Sequence, residues 1–587
     1  MRDILPSRDY RGAWLVLAIF CAFGVFDHSL WSSNDTREGA MIREMVREGV
    51  WVTPVFNGRP YLEKPPLLHW TAVALCKLFG RVNEGLVRLP AALYGFGALL
   101  IIGRWARALG RERAGLVAAF LCATSALYFE YSRIVLTDAA LTFMVVLSLY
   151  LFWRAYTAGS TNQKRWIPFL AAAALAFYAK GLIGPGLIWV AVGAFLAYRR
   201  EWKLIVALGA VFSVLFVLIL APWVAALWRS GGPGFLHSVF WENQFGRFLA
   251  FNDPNLPLDP YYVHKEPVLF YLISLPVRLL PWTLLVIPAL IYFFRKKSPV
   301  EGLAATFIRC ALLGMLALLH VSSAKAACYT LPIFPVLFLM TGIWLEDTAI
   351  LWQSALDRRL IGLTFGLVGF VVLAVPLLYL LIFANPLVFI HLKGPSVASA
   401  SFILEPIALA TGIFAWRRLE RIFRSGRRNE TILTKPMVLA VLGLVNAAAF
   451  LPYVDFDRSY KPLAALVREE LNAGARMALA GERERDLGAL MFYLDSRLKV
   501  VALTNATEWQ AHLYEQPGRA GIVVAKSDLP QAEHLLLGQP FKTIQPTNCG
   551  TKSRAFRLIM NAADTTLPLK APASQNTSGI RPKEGTP

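Results

Sequence analysis

Along most of the chain the polar residues are too sparse to mark either a helical stripe or a strand alternation. Apolar stretches long enough to cross a bilayer, about 17–25 residues each, follow one another from Gly12 to the region of Val454. The first runs from Gly12 to Leu30, and others begin near Leu86, Ala114, Ala139, Trp166, Leu182, Leu204, Val268, Leu303, Ala327, Leu360, Ser401 and Pro436. This pattern predicts an all-α polytopic membrane protein with about thirteen transmembrane helices. Arg2, Arg8 and Arg11 precede the first stretch and no small-residue cleavage site follows it, so it reads as an uncleaved anchor.

The pattern changes at Asp455. A helical stretch from Tyr460 to Ala473 is followed by short β-rich runs at residues 498–503 and 521–525, the signature of a small α/β domain. The predicted boundaries are a membrane domain over residues 1–454 with outer loops at 31–85 and 230–267, a soluble α/β domain over 455–563, and a tail over 564–587. That tail is rich in Pro, Ser, Thr and Gly and reads as disordered.

Composition narrows the class. The 587 residues are 56% hydrophobic and only 17% charged, with mean hydropathy +0.50, which excludes an ordinary soluble enzyme. Lys and Arg number 59 against 38 Asp and Glu, a net charge of +21. A surplus of this size raises nucleic acid as a partner, but the basic residues sit in alternate short loops: Arg104 to Arg113, Arg154 to Arg165, Arg199 to Lys203, Arg295 to Lys297, Arg358 and Arg359, and Arg417 to Arg428. Loops of that kind face the cytoplasm and anionic headgroups, so the charge fixes topology and nucleic acid is not a partner. Cys21, Cys76, Cys122, Cys310, Cys328 and Cys549 have neither paired nor metal-type spacing and read as small hydrophobes. Among nucleotide signatures neither a P-loop nor a dinucleotide fingerprint is present, which points away from a nucleotide donor.

The polar residues that this topology leaves on the outer face form a set. Asn34-Asp35-Thr36-Arg37-Glu38 follows the first span and leads into an amphipathic segment, Gly39 to Glu48, with Met41, Ile42, Met45 and Val46 on one face, the pattern of a helix lying in the membrane interface. Asp35 reads equally as an N-cap with Glu38 completing a capping box and as a carboxylate placed to take a proton from an acceptor. Glu63-Lys64-Pro65-Pro66 sets a carboxylate and a cation on a stiff segment at headgroup depth, where Lys64 is either a snorkelling lysine or a phosphate contact. Asp138 is a second carboxylate, or a helix cap. Lys180-Gly181 lies at an outer turn between two spans, where a lysine is a functional candidate by default. Arg247 would grip phosphate with two donors, and Lys325 leads into Tyr329-Thr330-Leu331-Pro332. For a divalent metal the chain offers only Glu63 with His264.

The order of these marks resembles the ArnT-type lipid A aminoarabinose transferases and the wider protein O-mannosyltransferase-like group, membrane glycosyltransferases of the GT-C fold. The marks are Asp35, Arg43-Glu44-Met45, Gly49-Val50-Trp51, Asn57-Gly58 and Glu63 to Leu67, then Arg133 with Asp138, Lys180-Gly181, and Lys325 with Tyr329-x-Leu331-Pro332. The resemblance implies transfer of a sugar from a polyprenyl (undecaprenyl) phosphate to a lipid A-like or other envelope acceptor, at the periplasmic face of the inner membrane. It implies Asp35 and Asp138 as the catalytic acids, Lys64, Lys180, Arg247 and Tyr329 as contacts of the donor phosphate, and Arg37, Glu63 and Lys325 as neighbours in the site. Where many members carry two adjacent acids, this chain has Asn34-Asp35, and alignment on the Arg-Glu-Met segment sets Asp35 at the second of them. The rival readings are a transporter or flippase of polyprenyl-linked sugars and a non-catalytic envelope scaffold. A transporter places its ionisable groups near the bilayer midplane between repeats, whereas here they cluster at the outer mouth.

Overall fold

The computed structural model describes residues 10–159, 163–246, 266–267, 269–295, 302–351, 355–383, 428–536, 538–547 and 549–562, with positions 410 and 417. The chain forms two compact units, Met1–Tyr460 with Glu484–Arg497, and Lys461–Arg483 with Leu498–Pro587.

The first unit is helical. It opens with α1 (Arg11–Ala22), α2 (Ser33–Glu48), a hairpin of β1 (Val55–Phe56) and β2 (Arg59–Pro60), and α3 (Leu67–Leu78). Asn57 and Gly58 turn that hairpin at φ 52° and 80°, as a two-residue hairpin loop demands. Then follow α4 (Glu84–Ala108), α5 (Glu112–Ala123), α6 (Ala126–Tyr131), α7 (Asp138–Thr157), α8 (Ile167–Lys180), α9 (Ile183–Tyr198) and α10 (Trp202–Leu236), and beyond them the helices Phe270–Arg278, Thr283–Phe294, Leu303–Val321, Phe334–Leu351, Ala355–Phe383 and Arg428–Arg458.

By length and composition, five stretches among the described residues suffice to cross a membrane: Glu84–Ala108, Asp138–Thr157, Trp202–Gly246, Leu303–Val321 and Ala327–Asp347. Shorter apolar helices accompany them, Arg11–Ala22, Leu67–Leu78, Ile183–Tyr198 and Thr283–Phe294. The chain is a multi-pass membrane protein. The first expected span, Gly12 to Leu30, is helical only to Ala22, and the expected span from Ser401 lies outside the described residues. Exposed Val206, Val214, Val217 and Leu218 leave α10 apolar on its outside, which only a hydrocarbon surrounding tolerates on this scale. Between helices, small residues allow backbones to touch: a Cβ at Gly342 would stand 2.2 Å from the Ala114 carbonyl oxygen on α5. Such contacts supply the packing that apolar burial cannot supply inside lipid.

The second unit is built on a five-stranded sheet in the order β4 (Lys499–Val501), β3 (Arg476–Ala480), β5 (Ala520–Ala525), β7 (Phe556–Asn561), β6 (Phe541–Ile544). β3 pairs parallel with β4 and β5, and β7 pairs antiparallel with β5 and β6. Ala478, Val501, Trp509, Leu513, Ile522, Val524 and Ile559 form its core. The two β-rich runs read from the sequence become β4 and β5. Helix Glu484–Leu494, which a boundary at residue 455 assigns to the soluble domain, groups instead with the membrane unit, because it packs on α2. Gly488 permits this, since a Cβ there would lie 2.7 Å from the Thr36 carbonyl oxygen. The tail over 564–587 lies outside the described residues.

Candidate active site

α2 carries two of the sequence candidates, Asp35 and Arg37. Its N-cap is Ser32, whose hydroxyl accepts from the Asp35 N–H at 3.0 Å. The capping box expected from Asp35 and Glu38 does not form, because the cap lies three residues before Asp35 and Glu38 turns elsewhere. The helix is also no interfacial float: Asp35 to Ile42, Glu44 and Met45 are all buried, and its last turn, with Arg47 and Glu48, is exposed. Arg497 binds Glu44 and Glu48, and the Gly58 N–H donates to Glu44 at 2.9 Å.

Asp35 is 0% exposed and both of its oxygens are engaged. Arg88 on α4 donates to Oδ2 from Nη2 at 3.0 Å and Nε at 3.3 Å, and the Val135 N–H donates to Oδ1 at 2.7 Å. Arg88 also donates to the carbonyls of His28 and Ser29 at 2.9 and 2.7 Å. A buried guanidinium with these partners is a fixed clamp, joining α2, α4 and the approach to α7. Arg88 was legible only as a lone arginine inside an apolar span, a signal of function or structure in lipid that the motif reading passed over.

Asp138 is different. It stands at the start of α7, where Thr137 is the N-cap and makes no side-chain capping bond. Lys180, the last residue of α8, donates to its Oδ1 at 2.6 Å, while its Oδ2 and the neighbouring Thr137 hydroxyl are buried with no hydrogen-bond partner. The Lys180 ammonium sits 4.1 Å from the centroid of the Tyr329 ring, and Gly181 ends α8 at φ 77° against Gln244, whose Oε1 accepts from the Leu182 N–H at 2.8 Å. Cys328, beside Tyr329, feels the charges of Asp138, Lys180 and Lys64 together, which places these three groups in one neighbourhood.

Lys64 belongs to a second, adjoining cluster. Its Nζ lies 3.4 Å from Glu38 Oε1 and 4.0 Å from Glu63 Oε1. Arg37 Nη2 donates to the same Glu38 oxygen at 2.9 Å, and His69 Nε2, from the first turn of α3, lies 2.7 Å from Glu38 Oε2. Arg37 Nη1 reaches Glu484 at 2.9 Å, and Tyr61 donates to Glu63. Burial opposes ionisation of Glu38, yet Lys64, Arg37 and His69 outweigh it and hold the carboxyl well below its usual range. For Tyr61, burial and the adjacent Glu63 both push the phenol up.

The remaining candidates divide. Lys325 is buried and donates to the Ser322 carbonyl at 2.6 Å, so its charge is committed locally. Arg133 donates to the carbonyls of Phe20, Phe23 and Phe129 and staples α6 to the end of α1. Arg247 and His264 lie outside the described residues. Among the described residues no three His, Cys, Asp or Glu side chains converge as metal ligands. Sequence reasoning missed His69 and Glu484, one hidden three residues past the Pro-Pro segment and the other more than 400 positions away.

Residues 63–226, which hold Lys64, Asp138 and Lys180, match a family profile described as dolichyl-phosphate-mannose-protein mannosyltransferase. The chain is 29% identical over 416 residues to the undecaprenyl phosphate-alpha-4-amino-4-deoxy-L-arabinose arabinosyl transferase of Pseudomonas aeruginosa strain UCBPP-PA14, covering 69% of this chain and 70% of that one. A Pseudomonas fluorescens Pf-5 relative of the same description is 25% identical over 562 residues and 90% of each chain. The fold superposes on crystal structures of ArnT from Cupriavidus metallidurans, with TM-score 0.72 at 18% identity for the form bound to undecaprenyl phosphate, covering 96% of this chain and 100% of that one. The apo form gives 0.70 at 17% identity, covering 96% of this chain and 99% of that one. The chain is thus similar in sequence to undecaprenyl phosphate-aminoarabinose arabinosyl transferases and shares the fold of the ArnT structures. In this chain the Asp138, Lys180 and Tyr329 group and the Lys64 group sit side by side, and Asp35 is held in its own clamp with Arg88.

Proposed function

We propose that this protein transfers a sugar from a polyprenyl (undecaprenyl) phosphate donor to a lipid A-like or other envelope acceptor, at the periplasmic face of the inner membrane. The full arrangement behind this reading has about thirteen spans, with the soluble α/β unit on the periplasmic side. The observation that carries it is the gathering of Asp138, Lys180, Tyr329 and Lys64 at one place, with one carboxylate oxygen of Asp138 unengaged. A phosphate-linked sugar is already activated, so the protein has to position the reactants and stabilise the departing phosphate. The acceptor oxygen attacks the anomeric carbon, the bond from that carbon to the phosphate oxygen breaks, and polyprenyl phosphate leaves with the bonding electrons. Asp138 receives the acceptor's proton on Oδ2. Lys64, Lys180 and Arg247 take up the phosphate charge, and the Tyr329 ring and hydroxyl border it. Asp35, gripped by Arg88, acts as the acid that orients α2 and the acceptor side, and Arg37, Glu63 and Lys325 are further residues of the site.

A protein hydroxyl is the second acceptor to consider, favoured by the match of residues 63–226 to a protein mannosyltransferase family. The test is mass analysis of envelope lipids and glycoproteins from cells with and without the protein. Loss of 4-amino-4-deoxyarabinose from lipid A supports the first reading, and loss of a protein-linked sugar supports the second. If neither changes while polyprenyl-linked sugar accumulates on one leaflet, the protein is a transporter.

A further inference from the structure

Glu38 has no part in the transfer chemistry outlined above, yet it is a buried carboxylate with three partners beside it. It is 1% exposed, and one oxygen receives Arg37 at 2.9 Å and Lys64 at 3.4 Å while the other meets His69 Nε2 at 2.7 Å. Lys64 divides its charge between Glu38 and any donor phosphate it meets, so the carboxylate and the phosphate compete for it.

Three features make that exchange feasible. Lys64 is the loosest of the three partners by distance, and its side chain is 16% exposed whereas that of Glu38 is 1% exposed, so the lysine is the member able to move. Its four-carbon stem carries a compact charge through a wide arc. When it leaves, Glu38 keeps Arg37 and His69, which spares it the penalty of a buried charge stripped of its partners. The neutral imidazole with its proton on Nε2 and the imidazolium both donate to Glu38, and His69 Nδ1 is buried without a hydrogen-bond partner, so nothing else holds that ring in a competing orientation. Around this group stand Glu484 against Arg37, and Glu63 with Tyr61 beside Lys64.

We propose that Glu38 is the resting counter-charge of Lys64, held in place by Arg37 and His69, and that Lys64 passes between Glu38 and the donor phosphate in each turnover. Glu38 is thus a positioning residue: it competes with the phosphate for Lys64 and, by recapturing the ammonium, promotes release of the spent polyprenyl phosphate. This inference rests on the reading of Lys64 as a phosphate contact.

The experiment measures binding of a synthetic polyprenyl monophosphate, and donor steady-state kinetics, for the full-length protein in lipid nanodiscs. Lys64→Ala should weaken binding about tenfold, the scale of one accessible ion pair lost. Glu38→Gln should do the opposite, tightening binding about three- to tenfold with KM and kcat both lowered, and in the Lys64→Ala background it should change nothing. Damage to the fold weakens binding in every variant, so the opposite signs separate exchange from collapse. Should Glu38→Gln fail to fold, Glu38→Asp keeps the charge but draws it back from Lys64, and it should tighten binding with the same sign. Unchanged binding in Lys64→Ala removes the phosphate role of Lys64. Weaker binding in Lys64→Ala with unchanged or weaker binding in Glu38→Gln, or in Glu38→Asp where that stands in for it, removes only the exchange.

Discussion

Asp35 and Asp138 are the same residue type, both at helix starts and both buried, and their neighbours separate their roles. Asp35 spends its oxygens on Arg88 and the Val135 N–H, whereas Asp138 spends one on Lys180 and leaves the other unengaged. Asp35→Asn removes the charge facing a buried guanidinium, and is expected to cost about 3 kcal/mol of stability, read as a lower melting temperature in detergent. Asp138→Asn is expected to lower kcat about a hundredfold or more, as loss of a general base does, while polyprenyl phosphate still binds because Lys180 remains to receive it. Equal kcat in Asp138→Asn and the parent would remove Asp138 from the chemistry. The presence of two acids was legible in the sequence, but Arg88 is 53 positions from Asp35 and Lys180 is 42 from Asp138, so no local pattern told them apart.

At the scale of elements, α2 is the piece on which the site turns, and helix Glu484–Leu494 lies along it. Gly488 brings the two backbones together, and ion pairs flank the contact: Arg37 with Glu484, Arg43 with Asp495, and Arg497 with Glu44 and Glu48. Gly488→Ala has no room to relax, since the neighbour is backbone, and overpacking of this kind costs about 1–3 kcal/mol; limited proteolysis should cut near α2 sooner in the variant. The pH response of α2 follows from Glu38. Its folded pKa is depressed below the ordinary 4.5, so the stability it contributes is fully present above that value and is lost as pH falls further through the folded pKa. Melting curves of the parent should therefore fall off more steeply below about pH 4.3 than those of Glu38→Gln. The amphipathic pattern of α2 was readable as an interfacial helix. Its burial was not, because its cover comes from a segment that sequence periodicity assigns to another domain.

For the whole molecule, the +21 charge is concentrated in alternate short loops, which on the proposed topology face the cytoplasm and leave a few cations on the outer side. A reporter fused after Val454 should accordingly become active only on the periplasmic side, and cytoplasmic activity would reverse the topology and the proposed face of transfer. The second unit carries its own pH mark: burial lowers the pKa of His512, outweighing its bond to the Gly521 carbonyl. His512 is thus held neutral, and the stability this contributes is present above the ordinary 6.5 and lost as pH falls below it. Hydrogen exchange through β5, corrected for the intrinsic pH dependence of the amides, should accelerate on acidification in the parent and less so in His512→Gln. What the sequence alone determined was the membrane class, the helical elements, the strands of the second unit and the residue types at the outer mouth. Those follow from hydropathy, period and short motifs, which are local properties of a chain. The tertiary structure decided which acid is clamped and which is open, that His69 and Arg37 brace Glu38, and that residues 484–497 serve the membrane unit. Each of those depends on contacts between distant positions, set by how helices pack at close range, and a buried charge takes its role from the partner that packing brings to it.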